Sequence, residues 1–196
     1  YGLVGSEMCI RDRTDTETEI NSQSSKVSAE NIKEFFNSLE GLNSEDTVFL
    51  SGNIIPGMES DDFVKIAEKV RQKGAKLVVD SNKDMVLNTL KYKPFIVKPN
   101  EFELGEMFGV ELSTIEDIKK YAGKLQEMGA QNVLVSRGSK GAILFTSTGE
   151  VLGANIAKGK VVSTIAAGDS MLAMFVAKYD ETKDFRLSLQ YASAAG

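Results

Sequence analysis

Thr47-Val48-Phe49-Leu50 is an unbroken β-prone, apolar run that ends in the turn Ser51-Gly52-Asn53-Ile54-Ile55-Pro56-Gly57. A run that does not alternate with polar residues suits a strand buried on both faces of a parallel sheet. The segments downstream repeat the theme. Phe63, Ile66, Ala67 and Val70 recur at helical spacing, Lys76-Leu77-Val78-Val79-Asp80 reads as a second strand, and residues 84–90 as a short helix. Pro94-Phe95-Ile96-Val97-Lys98 is a third strand; helices across 101–108 and 115–128 lead to a fourth, Asn132-Val133-Leu134-Val135-Ser136. Strand and helix in regular succession predict an α/β fold with a mostly parallel sheet, helices on both faces and right-handed crossovers. Ligands then bind at the carboxyl ends of the strands, where Asn53, Lys98, Asn100 and Gly138 fall.

Outward from this frame the pattern changes. After Ser136 the segments 142–146, 150–154 and 160–163 are separated by turns too short for helical crossovers, which predicts antiparallel hairpins at a sheet edge. Residues 168–178 and 184–195 read as two closing helices. Upstream, Ser28-Ala29-Glu30-Asn31 opens a helix whose Ile32, Phe35, Phe36 and Leu39 form one apolar face before Gly41. Thr14-Asp15-Thr16-Glu17-Thr18-Glu19-Ile20-Asn21 suits an exposed edge strand, because acidic side chains discourage edge pairing. Residues 1–13 show no steady period and read as a non-native leader, which leaves 14–27 as strand and connector and 28–196 as the α/β domain.

The 196 residues, 42% hydrophobic and 26% charged, are enough for a real core. A net charge of −5 argues against a nucleic-acid surface, and no apolar run is long enough to cross a bilayer. Histidine is absent, which removes Ser-His-Asp and Cys-His nucleophile systems and His-based metal sites together. Chemistry here runs on carboxylates, lysine, backbone amides or a bound ion. The lone Cys9 cannot close an internal disulfide, in keeping with a reducing compartment such as the cytoplasm.

Three stretches could carry that chemistry. In Ser163-Thr164-Ile165-Ala166-Ala167-Gly168-Asp169-Ser170-Met171 small residues precede an acid at a helix start, so that Ala166, Ala167 and Gly168 could present amides to an anion while Asp169 serves as a base. Asp169 could equally be a helix cap. Lys98-Pro99-Asn100-Glu101-Phe102-Glu103 offers an ammonium for phosphate and two polar oxygens that could orient metal-bound water; Asn100 with Glu103 also has the spacing of a capping box. Ser136-Arg137-Gly138-Ser139-Lys140-Gly141 would let a nucleotide phosphate approach the backbone, or is a plain hairpin turn.

The order of Lys-Pro-Asn-x-x-Glu, Ser-x-Gly-x-x-Gly and Ala-Gly-Asp-Ser resembles the PfkB (ribokinase-like) carbohydrate kinases, over residues 14–196. Thr16 to Asn21, Leu50 to Gly57 and Ser170-Met171 are similar to that family's phospho-sugar branch. The resemblance implies a ribokinase-like fold, ATP and Mg²⁺, and phosphorylation of a ketohexose phosphate: fructose 1-phosphate to fructose 1,6-bisphosphate, or in the alternative tagatose 6-phosphate or another sugar. It implies Asp169 as general base, the amides of 166–169 as anion hole, and Lys98, Asn100, Ser136, Arg137, Gly138, Ser139, Lys140, Gly141 and Gly168 around ATP. Asn53 would approach the sugar phosphate, Glu103 would reach the metal through water, and a full-length protein would pair through a β lid. The family pattern has glycine where Ala166 and Met174 stand. In the family the first sheet strands, a sugar-binding Gly-Gly motif and most of the lid precede the matched stretch. The expectation is therefore a partial domain with little activity by itself, and a non-catalytic binding fragment is the rival reading.

Overall fold

The computed structural model describes residues 25–156 and 166–196. A six-stranded sheet runs in sequential order: β1 (Thr47–Gly52), β2 (Lys76–Ser81), β3 (Ile96–Val97), β4 (Asn132–Ser136), β5 (Ala142–Phe145) and β6 (Val151–Ala154). The first four strands are parallel, and β5 and β6 are added antiparallel, each to its predecessor. This is the mixed α/β sheet that the sequence predicts. The third strand is shorter than expected because Lys93 turns left-handed before it and Pro99 follows, although Phe95 and Lys98 still donate to Leu77 and Val79.

Right-handed crossovers between strands laid down in sequential order bring every connecting helix to the same face. The connections are α2 (Ser60–Lys73), α3 (Lys83–Thr89), α4 (Glu101–Phe108) and α5 (Ile115–Glu127). Ile66, Val70, Met85, Leu104, Ile118 and Leu125 from these helices pack with Leu77, Val79, Val97, Val133 and Val135 in one core. The opposite face takes the other half of each strand's alternation: Val78, Ile96, Leu134 and Leu144 pack under α6 (Ala167–Thr182) and α7 (Phe185–Ala195).

Two sequence expectations need correction. Phe49 in β1 is 42% exposed, not buried, because β1 is the edge of the sheet among the described residues and the α6–α7 core contains no β1 residue. Leu50, which points to the other face, is buried. The first helix, α1 (Ala29–Ser38), starts where Ser28 caps it, yet none of its residues is buried; Phe36 packs against the core, Phe35 is exposed, and Leu39 is buried only in the short 3₁₀ turn that follows. The expected strands at 14–21 and 160–163 lie outside the described residues.

The closing helix pair rests on Phe175, which is fully buried and stacks on Tyr179, itself sandwiched against Phe95 and Phe185. Phe175→Ala should lower unfolding stability by about 3–5 kcal/mol in urea titration. Ala166, at the N-cap of α6, has φ 58° and ψ 13°, a left-handed conformation that costs an L-residue roughly 1 kcal/mol. Ala166→Gly, which would ordinarily destabilise by loosening the unfolded chain, should instead raise stability by about 0.5–1 kcal/mol in the same titration.

Candidate active site

Parallel pairing aligns the carboxyl ends of β1 to β4 along one edge, and the chemistry-bearing side chains collect there. Lys98 is reached one residue beyond β3. Its side chain is buried, and its ammonium lies 3.0 Å from a carboxylate oxygen of Asp80, which β2 delivers to the same edge. The helix start of α6 arrives from the other side. A Cβ placed on Gly168 would stand 3.0 Å from the Lys98 Nζ, so the ammonium rests against the first turn of α6 and glycine leaves it room. Asp169 is exposed in that same turn.

Helix geometry leaves the first-turn amides without intrahelical acceptors and gives this end a partial positive charge. An ammonium beside it adds more. Burial pushes the Asp80 carboxyl above its ordinary value; Lys98 pulls it back, and the charges of Asp169 and Glu103 push it up again. The carboxylates of Asp169 and Glu103 therefore both bear on Asp80, whose ion-pair partner is Lys98.

Asn100 and Glu103 form the capping box of α4. The Asn100 side chain accepts from the Glu103 amide at 2.8 Å, and Glu103 accepts from the Asn100 amide at 2.8 Å. The structural reading of that motif is thus realised, and the same bonds fix Glu103 within electrostatic reach of Asp80. Asn100 also pairs with Ser136 across the sheet edge, and the Ser136 amide donates to Pro99. The glycine-rich loop is tied to α4 as well: Arg137 Nε meets Glu101 at 2.5 Å and Lys140 lies 3.5 Å from the other Glu101 oxygen, which holds that carboxyl below its usual range despite partial burial. Gly138, Ser139 and Lys140 form a 3₁₀ turn. Gly141 has φ 82° and passes so close to Ala154 that a Cβ would collide with its carbonyl oxygen, so only glycine closes this hairpin.

The structure therefore sets Lys98 against Gly168, with Asp169 in the same turn and both Asp169 and Glu103 acting on the Asp80 that pairs with Lys98, and it ties Ser136, Arg137 and Lys140 to the segment that carries Asn100 and Glu101. Asn53 follows β1 at the same edge, exposed, with its side-chain oxygen accepting from Asn82 at 3.2 Å. Ala166 and Ala167 turn the chain into α6. Met174 is 37% exposed, so its bulk meets solvent rather than a close helix contact. Sequence reasoning missed Asp80. Its one signal was an acid directly after the apolar run Leu77-Val78-Val79.

The pfkB family carbohydrate kinase model matches residues 4–196. A 1-phosphofructokinase of Bacillus subtilis is 39% identical over 189 residues, covering 94% of this chain and 62% of that protein, and a D-tagatose-1-phosphate kinase of Bacillus licheniformis is 36% identical over 171 residues, covering 87% and 56%. The chain thus spans about three fifths of the curated relatives' length. Phosphofructokinase-2 from Escherichia coli, solved with substrates and products, superposes with a TM-score of 0.83 at 24% identity over 92% of this chain and 60% of its own, which shows the shared fold. Among the described residues no helix is long and apolar enough to cross a membrane. With the fold and the family model in agreement, the chain belongs to the pfkB family of carbohydrate kinases.

Proposed function

We propose that these residues perform ATP-dependent phosphorylation of a ketohexose phosphate, with fructose 1-phosphate as the acceptor and fructose 1,6-bisphosphate as the product. The observation that carries the reading is the Lys98 ammonium seated against Gly168 at the start of α6, with Asp169 exposed in the same turn. Phosphoryl transfer asks a protein to neutralise charge on the moving group and to take the proton of the attacking hydroxyl. The first-turn amides of α6 and Lys98 supply the first. Asp169, a carboxylate open to an incoming sugar, supplies the second. The loop 136–141 lines the nucleotide, with Arg137 and Lys140 already gathered there by Glu101.

Mg²⁺ would add charge neutralisation on the phosphates. Among the described residues no three potential ligands are grouped closely enough to hold a metal by themselves. A carboxylate such as Glu103, fixed by its capping bonds, suits an ion that keeps its waters and rides on the phosphates instead. The acceptor is the one expected from sequence, and the name of the Bacillus subtilis relative supports it; the name of the Bacillus licheniformis relative makes tagatose 1-phosphate the second reading, in place of the 6-phosphate expected from sequence.

The test is turnover of fructose 1-phosphate with ATP, measured on this chain completed with the remaining residues of the Bacillus subtilis relative. Asp169→Asn should cut kcat by about 10²–10⁴-fold while leaving ATP affinity close to that of the parent. Unchanged turnover would remove Asp169 as the base, and equal turnover of a non-phosphorylated ketohexose would remove the phospho-sugar assignment.

A further inference from the structure

Asn53 and Asn82 follow the last paired residues of β1 and β2, and the parallel register of Gly52 with Ser81 brings them side by side at the carboxyl edge of the sheet. Ser81 Oγ donates to the Gly52 carbonyl and ties the two strand ends together just before them. Asn82 is the N-cap of α3, and its side-chain oxygen accepts from the Met85 amide at 3.2 Å. A cap needs only that acceptor, so aspartate or serine would serve as well. What asparagine adds is an NH₂ group. With Oδ1 committed to the cap, Nδ2 is the atom left to meet Asn53, and it donates to Asn53 Oδ1 at 3.2 Å.

A carboxamide has an acceptor oxygen on one arm and two N–H donors on the other. The Met85 backbone amide can only donate, so it fixes which arm of Asn82 is the oxygen, and Asn82 in turn fixes which arm of Asn53 is the oxygen. The relay ends in the exposed Asn53 NH₂, which has no hydrogen-bond acceptor among the described residues.

We infer that Asn82 is a positioning residue: it sets the carboxamide of Asn53 so that Asn53 offers donors, not an acceptor, to the bound sugar phosphate. The inference rests on the sugar-phosphate reading proposed above and gives Asn53 a chemical preference within it. Ionised phosphate oxygens only accept hydrogen bonds, and sugar hydroxyl oxygens accept as well, so a fixed pair of donors suits both. Without its neighbour, the Asn53 amide would spend part of its time turned over, its oxygen directed at those same acceptors. The cap of α3 thereby reaches the sugar site through a single intervening side chain.

Steady-state kinetics of the completed chain described above, with fructose 1-phosphate varied at saturating ATP, test this. Asp at position 82 keeps the cap but replaces the donor by a second acceptor, so the Asn53 amide must turn over to meet it. Asn82→Asp should raise the KM for fructose 1-phosphate about 5–10-fold, with kcat, the KM for ATP and the urea midpoint close to the parent's. An unchanged KM overturns the inference. The introduced charge also repels phosphate directly, and a double-mutant cycle separates the two routes: in an Asn53→Ala background the same substitution should move that KM by less than about twofold. An equal rise in both backgrounds is charge repulsion alone, and the inference then falls while Asn53 keeps its place in the sugar site. If Asn53→Ala by itself leaves the KM for fructose 1-phosphate at the parent's value, the reading of Asn53 as a sugar-site residue and the inference fall together. Nitrogen-15 NMR of the parent needs no substitution at 82: the Asn53 side-chain amide protons should shift on adding fructose 1-phosphate, and signals that stay in place overturn the proposal.

Discussion

A lysine ammonium buried between a carboxylate and a helix N-terminus sets the terms for this site. Lys98 lies beyond a two-residue strand at the centre of the sheet, where solvent cannot screen it, and a lone charge there would be intolerable. Asp80 meets it from the neighbouring strand at 3.0 Å. The third party is α6, which approaches so closely that a Cβ on residue 168 would stand 3.0 Å from the ammonium and push it by a few tenths of an ångström. These constraints interlock: the lysine needs its acid, and glycine at 168 lets the helix start lie close to the ammonium.

The topology explains why those three elements meet. Sequential strand order sends α2 to α5 to one face and leaves the other for α6 and α7, so α6 crosses the second face and directs its start at the edge where β2 and β3 end. The aromatic stack of Phe95, Phe175, Tyr179 and Phe185 holds α6 in that attitude from beneath. Phe95 lies three residues before Lys98 on the same chain segment. Packing of the helix and placement of the lysine are therefore set by one short stretch, which couples the geometry of the site to the core of the fold.

Much of this was legible in the residues. The unbroken runs at β1, β2 and β4 and the change to short turns after Ser136 carry the mixed sheet, because periodicity and loop length are local signals. The site was legible only where a motif names it: Lys98, Asn100, Glu103 and Asp169 fall on recognisable spacings, and the structure brings Lys98, Glu103 and Asp169 to one edge. Asp80 was not legible, since an acid at the end of a strand has no spacing partner and acquires meaning only from what the next strand places opposite it. Phe49 misled for the related reason that burial on the second face depends on how far α6 and α7 reach, which no run of β1 residues encodes.

Ala166 shows how a departure from a family pattern is to be weighed. The position is left-handed in this chain, so the methyl is carried at a conformation that glycine adopts freely. The cost, about 1 kcal/mol, is small beside the roughly 5–15 kcal/mol by which domains are stable, so the substitution does not decide whether the chain folds. What it touches is the approach to the α6 amides. Strain at such a turn persists only where the surroundings over-determine the backbone. Here Ser170 donates back to the Ala166 carbonyl at 2.8 Å and the buried Met171 and Leu172 come directly after it, so the helix anchors the turn from its own first residues. The turn is thus held by the packing of α6 rather than by its own preference.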